Sequence, residues 1–546
     1  MKKIITLAIM LLSVSSMMAN WQPSDTQATQ LDAEGTNGQS QMKTIRTDDG
    51  KIIHSWLRSG SVNGAFSYVL HMQIFDAQGN AMFGDEGIIV CDKHTRTWTT
   101  DYGMALAANG DIIFAYSDIR NDPNEENAEV YLYRYNQQGE PVWDAEGIRF
   151  PSEKIHENAL SVEDIAPMIC VSDNNIYAAV NHTEYYMEEA NEDNWSPSPW
   201  FPNQPMPDSV LVSNGKWLIV NLNNDGTVAS ESGTEVDSKM ILMRPSTGGK
   251  AFLVYDNKDY GLSAQLIDAD LNNVWGDPLV IEQRQITSGS FVATPLAEVD
   301  EYGVLMLSYR VLSDFYGYQV MNFVHPSGVY ALDPVTLAGN IDGDAGPAAM
   351  GVKEDRAMVA WEYAYSASEY RLNINVVDDN NFYCWEDDNM YGITLETTPQ
   401  WGYKPVKVIP VVGGWVILYG NCTSWNGANF MVVKMSDEGE VIWSKQICED
   451  NFKSSGFSVV YDTKNAYIFY TQDPDYDKTG DGGMFVMCVD ITGTVDAINE
   501  VATGDEVLST EIYTVDGRHV SRIADGVNIV RTTYKNGKVV TTKIVH

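Results

Sequence analysis

Between residues 41 and 495 one pattern keeps returning: a turn, a run of β-branched and aromatic residues, a second such run, and a polar turn that an aromatic often follows. The clearest copies are NGDIIFAYSD with EVYLYRYNQQGEPVWDAEGIRF, and TDDGKIIHSW with YVLHMQIFDAQGNAMFGDEGIIV. STGGKAFLVYDN with LSAQLIDADLNNVWGD and VVGGWVILYGN with NFMVVKMSDEGEVIWS repeat it. Val, Ile, Tyr and Phe fit a pleated surface, and DG, NG and GG favour tight hairpins, so each unit reads as a few short strands. No unit carries a convincing amphipathic helical period.

Taking the turn residue of the second hairpin as an anchor gives Gly79, Gly139, Gly226, Leu271, Gly328, Asn381, Gly439 and Gly493, at intervals of 60, 87, 45, 57, 53, 58 and 54 residues. In five of the eight copies an aromatic stands four residues on: Phe83, Trp143, Trp275, Trp385 and Trp443. A period of about 40–60 residues made of short strands marks a propeller or a comparable array. One such unit cannot bury both faces of its sheet, so neighbours must stack, and closing the row protects the edge strands. The expected fold is all-β: a β-propeller of about eight four-stranded blades over 20–495, followed by a small C-terminal β domain over 496–546. A seven-bladed ring with one divergent unit fits the same spacing, and a pair of stacked sheets is the rival architecture. The recurrent aromatic is expected to wedge between units, since a ligand seldom needs the same group once per repeat.

Composition narrows the function. Of 546 residues 44% are hydrophobic and 11% aromatic, which excludes a disordered chain, and 75 acidic against 35 basic residues give a formal net charge of −40. Phosphate backbones are bound by dense Lys/Arg surfaces, so no nucleic-acid partner is expected, and an anionic membrane surface is disfavoured for the same reason. Self-repulsion that keeps the chain soluble is sufficient cause for such acidity, with cations or basic partner segments the functional alternative.

No local catalytic constellation is present: there is no GxSxG elbow, HExxH, Walker loop or GxGxxG. A glycosidase pair of carboxylates has no distinguishing mark among 75 Asp/Glu. The 87-residue interval marks an insertion, TEYYMEEANEDNWSPSPWFPNQPMPDS at 183–209, whose prolines and acidic residues predict a loop rather than a strand. Its Tyr185, Tyr186, Trp195, Trp200 and Phe201 either pack on the rim of the array or form an aromatic platform for sugar rings or a partner protein. In DPDYDKTGDGG, Asp473, Asp475, Asp477 and Asp481 alternate in a Gly-rich turn, an arrangement that can surround Ca²⁺ with oxygens. Lys478 stands where an EF-hand has Gly, so a solvated hairpin tip is the expected state and Ca²⁺ the alternative. No other cofactor is expected.

MKKIITLAIMLLSVSSMMANWQ sets Lys2 and Lys3 before an apolar run from Ile4 to Leu12 and then small residues, the order of a secretory leader. Cleavage is expected after Ala19, giving a leader over 1–19, with Ser16 the alternative. The run is too short to span a bilayer, and no later segment is apolar for long enough to be transmembrane. The six cysteines are scattered with no CxxC, which disfavours a zinc site or a disulfide scaffold; several are expected to be buried thiols.

The tail, EIYTVDGRHVSRIADGVNIVRTTYKNGKVVTTKIVH, carries six Lys/Arg against three Asp/Glu and reads as short strands joined by Asp516-Gly517, Asp525-Gly526 and Asn536-Gly537. Its order resembles the type A C-terminal sorting domain of proteins exported by the type IX secretion system of Bacteroidota. Ile512, Tyr513, Gly517, Arg518 and Val520 match the first hairpin of that family; Gly526, Ile529 and Val530 match its second strand; Lys543, Ile544 and Val545 match its last. Asn528 stands where the family usually has Tyr, and the usual first half is shortened to INEVATGDEV. The repeat region is similar, more weakly, to secreted Bacteroidota proteins with LDxxGxxxW repeats. The resemblance implies an address label read by the secretion machinery through Tyr513, Gly517, Arg518, Gly526 and Lys543. The chain would then be secreted or held at the outer cell surface, and periplasmic where the shortened domain is not recognised. A β domain that is plain structure is the alternative.

The expected function is an exported binding protein that takes a glycan or host protein on loops at one end of the array. A secreted glycan-active hydrolase with carboxylates at the central channel is the alternative, and a purely structural surface component the third.

Overall fold

The computed structural model describes residues 21–545 apart from 22, 25–27, 32–38, 63, 96–100, 123–126, 154–155, 193, 197–203, 230–233, 239–240, 258–260, 289–290, 293–294, 313–316, 330–334, 338–343, 367, 381, 386–391, 399–400, 423–427, 448–456, 473–482, 494–506, 515–517, 521–526 and 535–538. The expected leader lies outside them. The chain falls into two compact units, Met1–Val489 and Asp490–His546. Among the described residues there is no helix, and none therefore long and apolar enough to cross a membrane.

The turns make the repeat. Asp76, Asn136, Asp268 and Asp378 each open the turn after a third strand, and each side chain accepts main-chain N–H groups two and four residues on, at 2.8–3.0 Å. The anchor residue then turns left-handed: φ is +83° at Gly79, +86° at Gly226 and +87° at Gly439, where a side chain would strain the backbone. Leu271 accepts the same conformation at φ +65°. It is buried in the core shared by the third and fourth sheets, and that burial offsets the strain.

Among the described residues of the first unit, strand follows strand into eight four-stranded antiparallel sheets, consistent with propeller-like blades. Seven are meanders of consecutive strands, spanning 39–91, 102–149, 161–236, 241–282, 296–336, 344–398 and 403–447. The eighth joins Phe457–Tyr461, Asn465–Gln472 and Gly483–Asp490 to Thr29–Gln30 from the far end of the chain. The first strand of each sheet lies beside the first strands of its neighbours, so these strands are innermost. Four of them bulge against the second strand, between Ser40 and Lys43 and, with a proline at each, between Ile165 and Met168, Ala345 and Ala348, and Pro405 and Lys407. Pro167, Pro347 and Pro405 sit there, where a bulge leaves main-chain groups outside the ladder and proline costs no hydrogen bond.

The aromatic four residues beyond the anchor reaches the next sheet, as the wedge expectation requires. Phe83 lies against Gly139, Trp143 against Gly226, Trp275 against Gly328 and Trp385 against Gly439. Each of these three tryptophans also donates its Nε1–H to the second residue of the same turn, the carbonyls of Asn224, Pro326 and Asp437, at 2.9, 2.9 and 3.0 Å. The third sheet has no such aromatic; Asn221 Nδ2 donates to the equivalent carbonyl, that of Ala269, at 2.8 Å. Trp443 departs from the pattern. It lies within the strand Val441–Ile447, its Nε1 without a hydrogen-bond partner among the described residues.

The eighth and first sheets pack through Val460, Phe469 and Val486 against Ile52 and Phe75. The segment that begins at Trp21 fastens this junction. Ser24 N–H donates to the Cys488 carbonyl at 2.9 Å and Leu31 N–H to that of Met484 at 2.8 Å, while the Trp21 ring lies 4.8 Å from Phe75 and 5.9 Å from Phe469. Phe469, His54, Trp56 and His71 stack in series across the same junction. Burial pushes the His54 imidazole down to about 3, so it is neutral inside the stack. Cys91, Cys170 and Cys488 are buried thiols and Cys384 and Cys422 half-buried ones; Cys448 lies outside the described residues.

The second unit is one sheet in the order His519–Val520, Val507–Thr514, Val527–Tyr534, Val539–Val545. Tyr513 stands opposite Ile529, and Ile529 opposite Lys543, so the three elements of the tail's motif meet in register.

Two outcomes follow from the junction of the eighth and first sheets. Trp21→Ala removes the ring that bridges them and is expected to cost about 2–3 kcal/mol, read as a lower urea midpoint. Unfolded histidine titrates near 6.5 and His54 near 3, so protons favour the unfolded chain as pH falls below 6.5. The loss is about 1.4 kcal/mol per pH unit, and His54→Phe should flatten the fall in melting temperature across that window.

Candidate functional site

In each meander the turn after the third strand lies at one end of the sheet, and the connection between second and third strands at the other. At that other end, between the second and third sheets, lies a cavity of ≈ 370 Å³. Asn121 and Asp122 follow the strand Ile112–Asp118, Glu129 opens the next, and Arg149 closes the sheet. Asp164 from the third sheet's innermost strand and His182 from its second strand form the opposite wall, with Ser152 between. Main chain stitches the two sheets together: Ala128 N–H donates to Val162 O at 3.1 Å and Asp164 N–H to Ala128 O at 2.9 Å.

The wall is a buried polar cluster. His182 Nδ1 lies 2.7 Å from Asp164 Oδ1 and Nε2 lies 3.4 Å from Glu184 Oε1. Ser152 Oγ donates to Asp164 Oδ2, and His156 N–H donates to Glu184 Oε2 at 2.8 Å. Burial alone would push the His182 pKa down; the hydrogen bonds and charges of Asp164 and Glu184 outweigh it and hold it above the ordinary 6.5. Glu129 is fixed by Arg149 Nε at 2.8 Å, Asn121 Nδ2 at 2.7 Å and the Tyr131 hydroxyl at 2.9 Å.

The cluster does not set up Ser152 as an activated nucleophile. A serine nucleophile needs a base within hydrogen-bond reach, but Ser152 is bonded to the aspartate and both His182 nitrogens face carboxylates. Among the described residues no group of three His, Cys, Asp or Glu is placed to hold a metal ion.

The predicted aromatics are partly assembled beside this wall, and one expectation needs correction. Thr183–Glu189 are not loop: they continue the strand Asn175–Glu189, paired with Ser209–Leu222 as far as Glu189 opposite Ser209. The chain-breaking prolines begin only at Pro197, and the paired tyrosines of TEYYMEE before them suit a strand. Tyr185 is half-buried with its hydroxyl 3.0 Å from Glu163 Oε2, and Tyr186 stacks on His156 at 4.0 Å and 13°. Trp195 is half-buried beyond the hairpin, its N–H on Asn191 O at 3.1 Å. Trp200, Phe201, Asp473, Asp475, Asp477, Asp481, Gly517 and Gly526 lie outside the described residues. In the tail, the Tyr513 hydroxyl lies 3.2 Å from Glu511 Oε2, and the Arg518 carbonyl accepts Thr514 N–H at 2.8 Å.

No local motif marks His182, Asp164, Glu184 or Ser152 in the sequence. The alternation in NHTEYY, which sets His182, Glu184 and Tyr186 on one face of a strand, was the available clue.

No protein-family model matches the chain, and no curated protein sequence does. Among solved structures it is similar to a protein of unknown function from Dyadobacter fermentans, at 10% identity and TM-score 0.33, over 72% of this chain and 96% of that one. An ulvan lyase from a polysaccharide-lyase family is similar at 12% identity and TM-score 0.36, over 72% and 95%. Trypanosoma rangeli sialidase is similar at 10% identity and TM-score 0.33, over 84% and 58%. Likenesses this distant carry no argument about activity.

The raised pKa of His182 means that its ion pairs stabilise the fold below 6.5 and that this contribution is lost as pH rises through the raised value. His182→Gln should therefore lower the melting temperature at pH 6 and leave a smaller deficit at pH 9, about three units higher. An equal deficit at both would show that the imidazole is uncharged in the fold.

Proposed function

We propose that this chain is an exported binding protein, its eight sheets closing into a propeller and its loops at the end opposite the third-strand turns taking a glycan. Leader-like residues 1–19 and the sorting-type tail support export by a type IX-like route to the medium or the outer cell surface. The observation that carries the binding reading is the preformed polar cavity between the second and third sheets beside the strand that bears Tyr185 and Tyr186. Exposed Leu160, Met187 and Leu211 extend the same hairpin surface, with Met187 directly opposite Leu211.

A second reading has one observation in its favour. Glu298, Asp300, Glu301 and Glu354 gather at the ends of innermost strands, with Lys407 3.7 Å from Glu298. Such a group at a channel mouth is what a hydrolase of glycans would need.

A glycan array probed with the mature chain, beside a Tyr185→Ala/Tyr186→Ala variant, separates the readings. Binding to a subset of glycans, weakened at least about tenfold in the variant, is expected for the binder. Release of shorter products from those glycans, abolished by Glu298→Gln, would favour the hydrolase. Unchanged binding in the tyrosine variant would remove the aromatic wall from the site.

A further inference from the structure

We infer that the cavity between the second and third sheets is a subsite for one neutral, hydroxyl-rich sugar ring. This rests on the glycan reading above and specifies which glycans it admits.

Size sets the first limit. At ≈ 370 Å³ the cavity stands near the lower end of small-molecule sites, roughly 300–1,000 Å³, with room for one ring rather than a run of them. Its lining sets the second. Asn121, Asn127 and Arg149 donate while Asp122 and Glu129 accept, and a ring hydroxyl does both, so adjacent hydroxyls can be matched by planar side chains of either kind. These groups are already held in place: Asp122 Oδ2 takes Asn127 N–H and Nδ2 at 2.6 Å each, and Asn127 Oδ1 takes Val162 N–H at 2.8 Å. Preformed donors and acceptors reduce the ordering cost of binding.

Charge sets the third limit. Asp122, Glu129 and Asp164 line the cavity, with Glu184 behind His182; against these four stand Arg149, whose Nε is on Glu129, and His182. A carboxylated or sulfated sugar would meet that excess in a chain of net charge −40. An amine-bearing sugar would have to displace donors that the carboxylates already hold: Arg149, Asn121 and Tyr131 on Glu129, Asn127 on Asp122, and His182 and Ser152 on Asp164. A neutral ring adds hydrogen bonds without breaking an ion pair.

The test is titration calorimetry of the mature chain with neutral, uronate-bearing, sulfated and amine-bearing oligosaccharides, repeated on Glu129→Gln and Arg149→Ala. Val412→Ser, at a fully solvated turn of the seventh sheet, serves as control. Neutral oligosaccharides should bind, with affinity falling at least about tenfold in Glu129→Gln and unchanged in the control. Should Glu129→Gln melt early, Arg149→Ala decides, because its side chain is more than half exposed and leaves the core intact. Charged oligosaccharides binding as tightly as neutral ones would overturn the inference. So would neutral binding that survives both substitutions yet is lost in Tyr185→Ala/Tyr186→Ala, an outcome that spares the glycan reading. Failure of every oligosaccharide to bind would overturn both.

Discussion

An aromatic ring of one sheet lying on the turn glycine of the next sets the spacing of the array. Trp143, Trp275 and Trp385 add a directional element, because each N–H finds one carbonyl in the neighbouring turn. The two features support each other: the ring can approach closely because the turn residue is glycine, and glycine is also the residue that takes a positive φ with least strain. Neighbouring sheets are thereby held face to face, which is why strands such as Ile112–Asp118, Ala251–Asp256 and Leu262–Ile267 are buried at every residue. A sheet covered on both faces reads as a continuous apolar run instead of an alternation.

The two ends of the sheets do different things. One end carries the stereotyped turns and their aromatic contacts. The other carries the connections that differ from unit to unit, and polar groups are buried there between sheets. Asp118 pairs with Arg120, which also reaches the Tyr133 hydroxyl at 2.5 Å, and Glu282 pairs with Arg284 at 2.7 Å. Buried polar networks of this kind are rigid when every member is satisfied. Beside Asp164 and His182 such a polar lining also encloses a cavity of ≈ 370 Å³.

Within that junction the hydrogen-bond pattern decides the chemistry. A histidine with both nitrogens on carboxylates is a cross-link between the innermost and second strands and the loop that supplies Ser152 and His156. It is not a base waiting for a nucleophile. The groups that remain to meet a ligand are amides, carboxylates and a guanidinium.

Interactions that act over a few residues could be read directly from the chain. An Asx side chain reaching N–H groups two and four residues on, a left-handed glycine, and strands of β-branched and aromatic residues are local, so the succession of four-stranded units and the wedge role of Trp143, Trp275 and Trp385 were legible. The site was not, because it depends on register between strands. Ser172 stands opposite Asn175, a register that would carry Asp164 to Thr183; the bulge at Ala166-Pro167 shifts it by one, and Asp164 meets His182 instead. A slip of one residue turns every side chain to the other face of a sheet, and neither Ala166 nor Pro167 announces which slip occurs. The completion of the eighth sheet by Thr29–Gln30 was equally hidden, since two residues gain strand character only from Phe485 and Val486, hundreds of positions away. Local propensity wrote the blades; long-range pairing placed the polar cluster and fastened the last sheet to the first.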